Sequence, residues 1–472
     1  MAFISVRSLV IAAISVPTVG NATTYQPDPA IEAGLVVKLD FVGQYVTPPA
    51  QPNIASPVAI GDSLYVVDQA GQQITIQGES GPTTVLSAGD EPAGITPTGK
   101  SAFINMAGSE QQVFVGFTSS TLPQGKSAHA LPDDPHYHKP SAHYQVIYTY
   151  DRESDGTLSN PTFVTAFETA QSITEGPWQG GAHFGEGMLA LGNGKLLFSR
   201  GDNLNQHYDG STGPQDPAST VGKLLIIDTD GTVEVAATGI RNVQRMIFTD
   251  ENQTRIAFTD IGRTVAEEVN VIDTADLLDT TKVENFGWGV DGDRDAREGT
   301  FYINSGTYAG VFPGVEPAAD GKITIPEAGF ITPYAQLGRS NPDGLFAISG
   351  PVASDVSFNL IDLLFGDLVK GNLFATMATT DDTLNTVYKV GVSGGASGVT
   401  SLQEFLGITR ADLRFFNFVD GSAGVLLEQT GNAYRITEVL PAVPLMATGP
   451  ALLSALGFGL FTGRRRLSKR PD

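Results

Sequence analysis

The sequence predicts an all-β fold, a six-bladed β-propeller, on three observations. Short strand pairs recur along most of the chain, each split by a Gly, Asp or Asn turn. Helical periodicity is scarce between the two ends. Glycine is abundant, 54 of 472 residues, while charged residues make up 17%. That balance suits a turn-rich β protein better than a helical one.

The strand pairs form six units, at residues 61–77, 100–117, 194–203 with 222–236, 254–262 with 267–273, 371–390 and 421–436. Many alternate apolar and polar residues with the period of two that half-buried strands show. Units of roughly 60–70 residues suit four-stranded blades around a channel. A pair of β-sandwiches is the alternative for the same strands. Residues 121–145 and 291–322 read as long loops, which in a propeller decorate one face and tend to carry function.

The two ends carry addresses. "MAFISVRSLVIAAISVPTVGNATTYQP" reads as a secretory signal, with Arg7, a mostly apolar run at 8–18, and small residues Gly20 and Ala22 for cleavage. The apolar run is short for a membrane span. Domain limits follow: signal peptide 1–22, propeller domain 23–440, C-terminal segment 441–472. In that last segment an apolar stretch from Val443 to Thr462 precedes Arg464, Arg465, Arg466, Lys469 and Arg470. It is long enough to span, with the basic cluster on the cytoplasmic side. The stretch Val443-Pro444-Leu445-Met446-Ala447 resembles the VPLPA/PEP-type C-terminal sorting signals of Gram-negative bacteria, without their second proline. The resemblance implies export and sorting machinery as partners and a tail removed after export. A plain tail anchor is the alternative. In both cases the folded part faces outward, in the periplasm, at the cell surface or outside the cell, and meets a membrane only through the C-terminal segment.

The net charge of −23 disfavours nucleic acid and anionic membrane surfaces as partners. The chain has no cysteine, which excludes disulfides, thiolate chemistry and cysteine-ligated metals.

The most informative stretch is "GGAHFGEGMLALGNGKLLFSRGDN", residues 180–203. Asn193-Gly194 is a strong hairpin signal. A tight hairpin there brings His183 and Asp202 to the same end of a strand pair, within a residue or two of directly opposite. A carboxylate beside an imidazole fixes its tautomer and stabilises its protonated form, as a general base requires. Hairpins that end in polar residues are also common without catalysis.

This stretch resembles the signature of the soluble PQQ-dependent glucose and aldose-sugar dehydrogenases, a six-bladed propeller family. Their pattern is His-x-Gly-Gly-x-Leu, a strand, a Gly-containing turn, a second strand, then Gly-Asp or Gly-Glu. His183 and Gly201-Asp202 match it without a gap. The resemblance implies that His183 is the base for the substrate hydroxyl and that Asp202 orients it. Further segments follow in the family's order: "GKLLIIDTDG" (222–231), "TGIRNVQRMIF" (238–248), "DIGRTVAEEVNVI" (260–272), "ENFGWG" (284–289) and "LFAISGPV" (345–352). By resemblance Arg241 and Asn242 bind the cofactor, Arg241 also stabilising charge on the quinone. The carbonyls of Gly262 and Arg263 hold the calcium ion that grips PQQ, and Arg414 holds a PQQ carboxylate. The likeness covers roughly 145–436 and, more faintly, 60–120.

Several positions depart from the family. Glu186 replaces the second glycine of the His motif, Val243 a proline, Arg245 a glycine, and Arg263 the proline of the calcium segment. Thr379 stands where the family has a lysine and Phe416 where it has a second arginine. Each lost charge-assisted contact weakens PQQ capture by about 1–3 kcal/mol.

The implied function is an exported dehydrogenase that oxidises the anomeric hydroxyl of an aldose to a lactone, with hydride passing to PQQ and then to an unspecified acceptor. The alternative is a non-catalytic surface propeller that binds glycan or matrix polymer. A third class, a metal-dependent lactonase-like propeller, needs several acids converging on the channel, and the sequence locates none. His136, His138 and His143 have a spacing that suits zinc or copper but also a polar loop. Asp291, Asp293 and Asp295 alternate like a calcium loop but lack its glycine, and read as a solvated acidic loop.

Overall fold

The structure, a computed structural model, describes residues 31–46, 54–78, 80–97, 103–132, 143–169, 183–203, 213–262, 266–288, 301–302, 322–323, 331, 333–338, 347–377, 385–393, 399–400 and 402–441. The signal segment, the apolar stretch from Val443 with its basic cluster, and His136, His138, Arg263, Asp291, Asp293, Asp295 and Thr379 lie outside them. Among the described residues no helix is long and apolar enough to cross a membrane. The two helices there, Thr274–Leu278 and Leu402–Leu406, have five residues each.

Strands pair with their sequence neighbours, as short Gly and Asp turns dictate. The first sheet is Val58–Ile60, Ser63–Asp68, Gln73–Gly78 and Gly81–Ser87. The second is Phe103–Gly108, Gln112–Ser119, Tyr144–Arg152 and Leu158–Glu168. The third is Met188–Leu191, Lys195–Arg200, Lys223–Asp228 and Val233–Thr238, with Glu284–Asn285 parallel at its edge. The fourth is Val243–Phe248, Arg255–Asp260, Ala266–Asp273 and Ala335–Gly338.

Phe301–Tyr302 and Lys322–Ile323 pair as a two-stranded ribbon, and a nine-stranded sheet completes the described fold. It runs Ile348–Val352, Leu363–Asp367, Leu373–Thr376 and Tyr388–Ser393, crosses to Ile31–Gln44, and returns through Asn432–Pro441, Ala423–Leu427 and Leu413–Asn417; Val399–Thr400 pairs beside Tyr388–Ser393. The crossing is a parallel pairing of the N-terminal strand with Tyr388–Ser393. The same strand pairs antiparallel with Asn432–Pro441. So the two units predicted at 371–390 and 421–436 are continuous rather than separate, because a 14-residue strand has edges to offer both.

The first strands of these runs form a ring. Val58–Ile60 neighbours Phe103–Gly108, then come Met188–Leu191, Val243–Phe248, Ile348–Val352 and Leu413–Asn417, which returns to Val58–Ile60. The arrangement is propeller-like, with these six strands as its inner ring.

Strands between two sheets are apolar on both faces. Leu196, Phe198, Leu225 and Ile227 pack against Phe114, Ile147 and Phe167 of the second sheet. Leu197, Leu224 and Ile226 face Met246, Ile256 and Phe258 of the fourth. Closure is apolar too, with Phe416 and Leu426 against Leu64 and Val66. Sheet-on-sheet burial of this kind is the main stabilising term of the ring.

Candidate active site

The central hairpin forms as its sequence dictates. Leu191 pairs with Lys195, leaving Gly192-Asn193-Gly194 as the loop. Asn193 and Gly194 take positive φ, 62° and 73°, where Asn and Gly are tolerated. Beyond the regular strands the two arms stay joined: Asn203 N donates to His183 O at 3.1 Å and Gly201 N to Phe184 O at 3.2 Å. Gly201 has to be glycine, since a Cβ there would lie 2.1 Å from the His183 carbonyl oxygen. His183 itself sits at φ 59°, an uncommon conformation for a residue with a side chain. The second sheet braces this turn from the side, as Gln145 Nε2 donates to Phe184 O at 3.1 Å and Asn105 Nδ2 to Glu186 O at 2.7 Å.

The predicted pair is joined. His183 Nδ1 lies 3.0 Å from Asp202 Oδ1. The other carboxylate oxygen, Oδ2, accepts from Trp288 Nε1 at 2.9 Å. Asp202 is 2% exposed, so its charge works in a poorly hydrated setting. On the far side of the imidazole, Arg241 Nη2 stands 3.1 Å from His183 Nε2. A guanidinium only donates, so Nε2 accepts and Nδ1 carries the hydrogen bonded to Asp202. Arg241 also lies over the Trp288 ring, 5.1 Å from its centroid.

Asp260 fixes Arg241 from behind. Its carboxylate accepts from the backbone N–H groups of Arg241 (2.9 Å) and Asn242 (2.6 Å). Asp202 N in turn donates to Arg241 O at 2.9 Å, tying the third sheet to the fourth. Asn242 is buried beside Arg241, as expected of a neighbouring pair.

The calcium expectation fares differently. Arg241 Nη1 donates to Ile261 O at 2.7 Å and Gly262 O at 2.9 Å. The carbonyl assigned to calcium therefore already serves a cation, and a divalent ion beside a guanidinium is repelled. The other predicted ligand, Arg263, lies outside the described residues. The residues present do not fit calcium at this place. Among the described residues no group of three or more His, Asp or Glu side chains is placed to hold a metal, and His143 belongs to no such group.

Arg414 is not brought to the His183 cluster. It pairs with Glu428, Nη2 to Oε2 at 3.0 Å, and donates through Nε to Ile54 O at 2.7 Å. Glu428 Oε1 accepts from Ile54 N at 3.0 Å. The charge that the sequence assigned to a PQQ carboxylate is spent on an internal carboxylate. Phe416, two residues on, is fully buried against Phe418, with ring centroids 4.8 Å apart.

Between these groups lies Glu186. Its carboxyl hydrogen-bonds Gln69 of the first sheet and feels Arg414 and Glu428 of the last strands. Glu186, just before the third sheet's first strand, thus meets groups from other parts of the ring. Burial pushes its carboxyl up to about 7, with Arg414 opposing. Burial raises Glu428 as well, again against Arg414.

Trp288, Asp260 and Glu428 were not singled out from the sequence. Trp288 stands inside the quoted "ENFGWG", so a signal was present. Asp260 likewise opens the quoted "DIGRTVAEEVNVI"; Glu428 gave none, because its role is to hold the Ile54 amide, contributed from far along the chain.

With this geometry in hand, the family model described as Glucose / Sorbosone dehydrogenase matches residues 134–308. The matched segment contains His183, Asp202, Arg241, Asn242, Gly262 and Trp288 and stops before Arg414. The fold is similar to that of a glucose dehydrogenase. The solved structure in question is a putative oxidoreductase (glucose dehydrogenase) from Thermus thermophilus, 14% identical, covering 86% of this chain and all of that one, TM-score 0.51. The PQQ-bound aldose sugar dehydrogenase of Streptomyces coelicolor is 17% identical, covers 87% of this chain and 100% of that one, and has a TM-score of 0.49. No curated protein matches the chain.

Proposed function

We propose that the chain is an exported, six-bladed sugar dehydrogenase of the glucose/sorbosone type, oxidising the anomeric hydroxyl of an aldose to a lactone. The nine-stranded sheet counts as two blades in this reading, which the ring of six inner strands supports. The observation that carries the function is the hydrogen-bonded chain Trp288–Asp202–His183–Arg241. It holds a neutral imidazole in one tautomer, with Nε2 turned to a cation. His183 Nε2 takes the hydroxyl proton, and Asp202 stabilises the imidazolium that results.

The hydride that leaves the same carbon needs an oxidant, and PQQ when bound would supply an electrophilic quinone carbonyl. Arg241 Nε is buried and has no hydrogen-bond partner, which fits a donor kept for a quinone oxygen. Arg241 and Asn242 would hold that end of the cofactor. Arg414 is committed to Glu428, so the grip on carboxylates expected there does not apply. Calcium has no step in this reading. The apolar and basic sequence at the two ends supports export, with sorting machinery and an external electron acceptor as partners.

The deciding experiment is reduction of an artificial electron acceptor by the purified protein with added PQQ and a panel of aldoses. Aldose-dependent reduction that is lost in His183→Ala establishes the dehydrogenase. Absence of both PQQ binding by calorimetry and aldose-dependent reduction overturns it. The Arg414–Glu428 pair favours a second reading, a surface propeller that binds glycan without catalysis; glycan-array binding in a protein inert with PQQ would select it.

A further inference from the structure

Arg245 stands where the resembled family has a glycine, and the site around His183 makes no use of it. Its side chain starts on the fourth sheet and reaches the neighbouring inner strands of the nine-stranded sheet. Nε donates to Pro351 O at 3.0 Å and Nη2 to Asn417 Oδ1 at 3.3 Å. Asn417 is itself held, donating through Nδ2 to Ala353 O at 2.7 Å. Both partners of the guanidinium are neutral. Among the described residues no carboxylate pairs with it, and the charges that act on Glu186 are Arg414 and Glu428, not Arg245. The side chain is enclosed by protein yet keeps part of its surface accessible.

A buried charge without a counter-charge is costly, and proteins pair it, neutralise it or supply an outside partner. Burial lowers Arg245 to about 10, so it stays charged at neutral pH. The pairing of another inner-strand cation, Arg414 with Glu428, shows what the fold does when it compensates a guanidinium internally. A guanidinium has five N–H donors, and two of them are used here. Those left include hydrogens on both Nη1 and Nη2, the side-by-side fork that matches a carboxylate or phosphate.

We propose that Arg245 is the centre of an anion-binding site on the inner ring of strands, closed on one side by Asn417 and the Pro351 carbonyl, that takes the carboxylate or phosphate group of a small molecule. Arg245 shares none of the hydrogen bonds of the His183 cluster, and the proposal does not depend on the dehydrogenase reading.

The test is thermal unfolding and calorimetry of the purified full chain, titrated with sodium acetate and, separately, sodium phosphate. An Arg245→Met variant at matched ionic strength controls for general salt effects. A saturable rise in Tm with either anion, with affinity at least tenfold weaker in Arg245→Met, is expected; the anion that saturates first tells carboxylate from phosphate. No saturable response, or the same response in Arg245→Met, overturns the proposal. Should Arg245→Met fail to fold, Asn417→Asp serves. It sets a carboxylate at the position of the present 3.3 Å contact, and should abolish the anion response in a folded protein. An undiminished response in Asn417→Asp overturns the site equally.

Discussion

Arg241 Nη2 lies 3.1 Å from His183 Nε2, and this contact sets both the tautomer and the access of the imidazole. The lone pair that would take a substrate proton is covered by a guanidinium N–H. A substrate hydroxyl has to replace that N–H, and Arg241 then remains beside the reacting centre as a fixed positive charge. Arg241→Lys keeps the charge but cannot reach His183, Ile261 and Gly262 together. In the acceptor-reduction assay kcat/KM should fall on the order of 10²–10³-fold, the scale of losing one preorganised donor.

Asp202 is a positioning residue, acting through Nδ1 of His183. Asp202→Asn keeps the shape but removes the charge that stabilises the imidazolium. Turnover should fall on the order of 10²–10⁴-fold. A pH–rate profile should show the acidic limb displaced to lower pH, which a purely structural loss of active protein would not produce.

Glu186 gives the fold a pH dependence of known sign. Its carboxyl is raised from 4.5 to about 7 in the folded chain. The folded state therefore binds a proton that the unfolded chain has released. Stability from this group is fully present below the unfolded value and is lost as pH rises through about 7. Urea denaturation near pH 5 and near pH 8 should show the drop, and Glu186→Gln should flatten it. An equal drop in Glu186→Gln would assign it to other groups.

The Arg414–Glu428 pair is internal to the fold. Removing one member leaves the other buried and uncompensated, at a cost of about 3–5 kcal/mol. Arg414→Ala should lower the unfolding free energy measured in urea by that amount in cofactor-free protein. A variant of unchanged stability that only weakens PQQ binding would restore the cofactor role first read from the sequence.

Calcium chelation should leave cofactor-free protein untouched. The Ile261 and Gly262 carbonyls are bonded to Arg241. Tm measured with EDTA and with excess calcium should agree. A chelator-induced drop would show that the guanidinium gives way to the ion.

The strand pairs were legible because period-two alternation and Gly or Asn turns are local properties. The predicted hairpin at Asn193-Gly194 and the meeting of His183 with Asp202 both follow from one loop and equal arm lengths. The partners of Arg414 were not legible, for a reason of a different kind. Its partner Glu428 is close in sequence, but the groups that complete the pair are the Ile54 backbone atoms, contributed by the opposite end of the chain. No spacing rule announces such a contact. The contact of Arg241 with the Gly262 carbonyl was hidden likewise, because the two are brought together by the fourth sheet's first hairpin, whose register is irregular between Val243 and Met246.

By itself the sequence determined the all-β class, the strand pairs and the hairpin that unites His183 with Asp202, since hydrophobic period and turn chemistry act over a few residues. Only the tertiary structure decided how charges are spent: Arg241 on two carbonyls and an imidazole, Arg414 on Glu428, Arg245 on neutral partners. The physical reason is that an ionised group's partner is chosen by distance and burial across the ring, and closing the ring brings together residues that the chain keeps far apart.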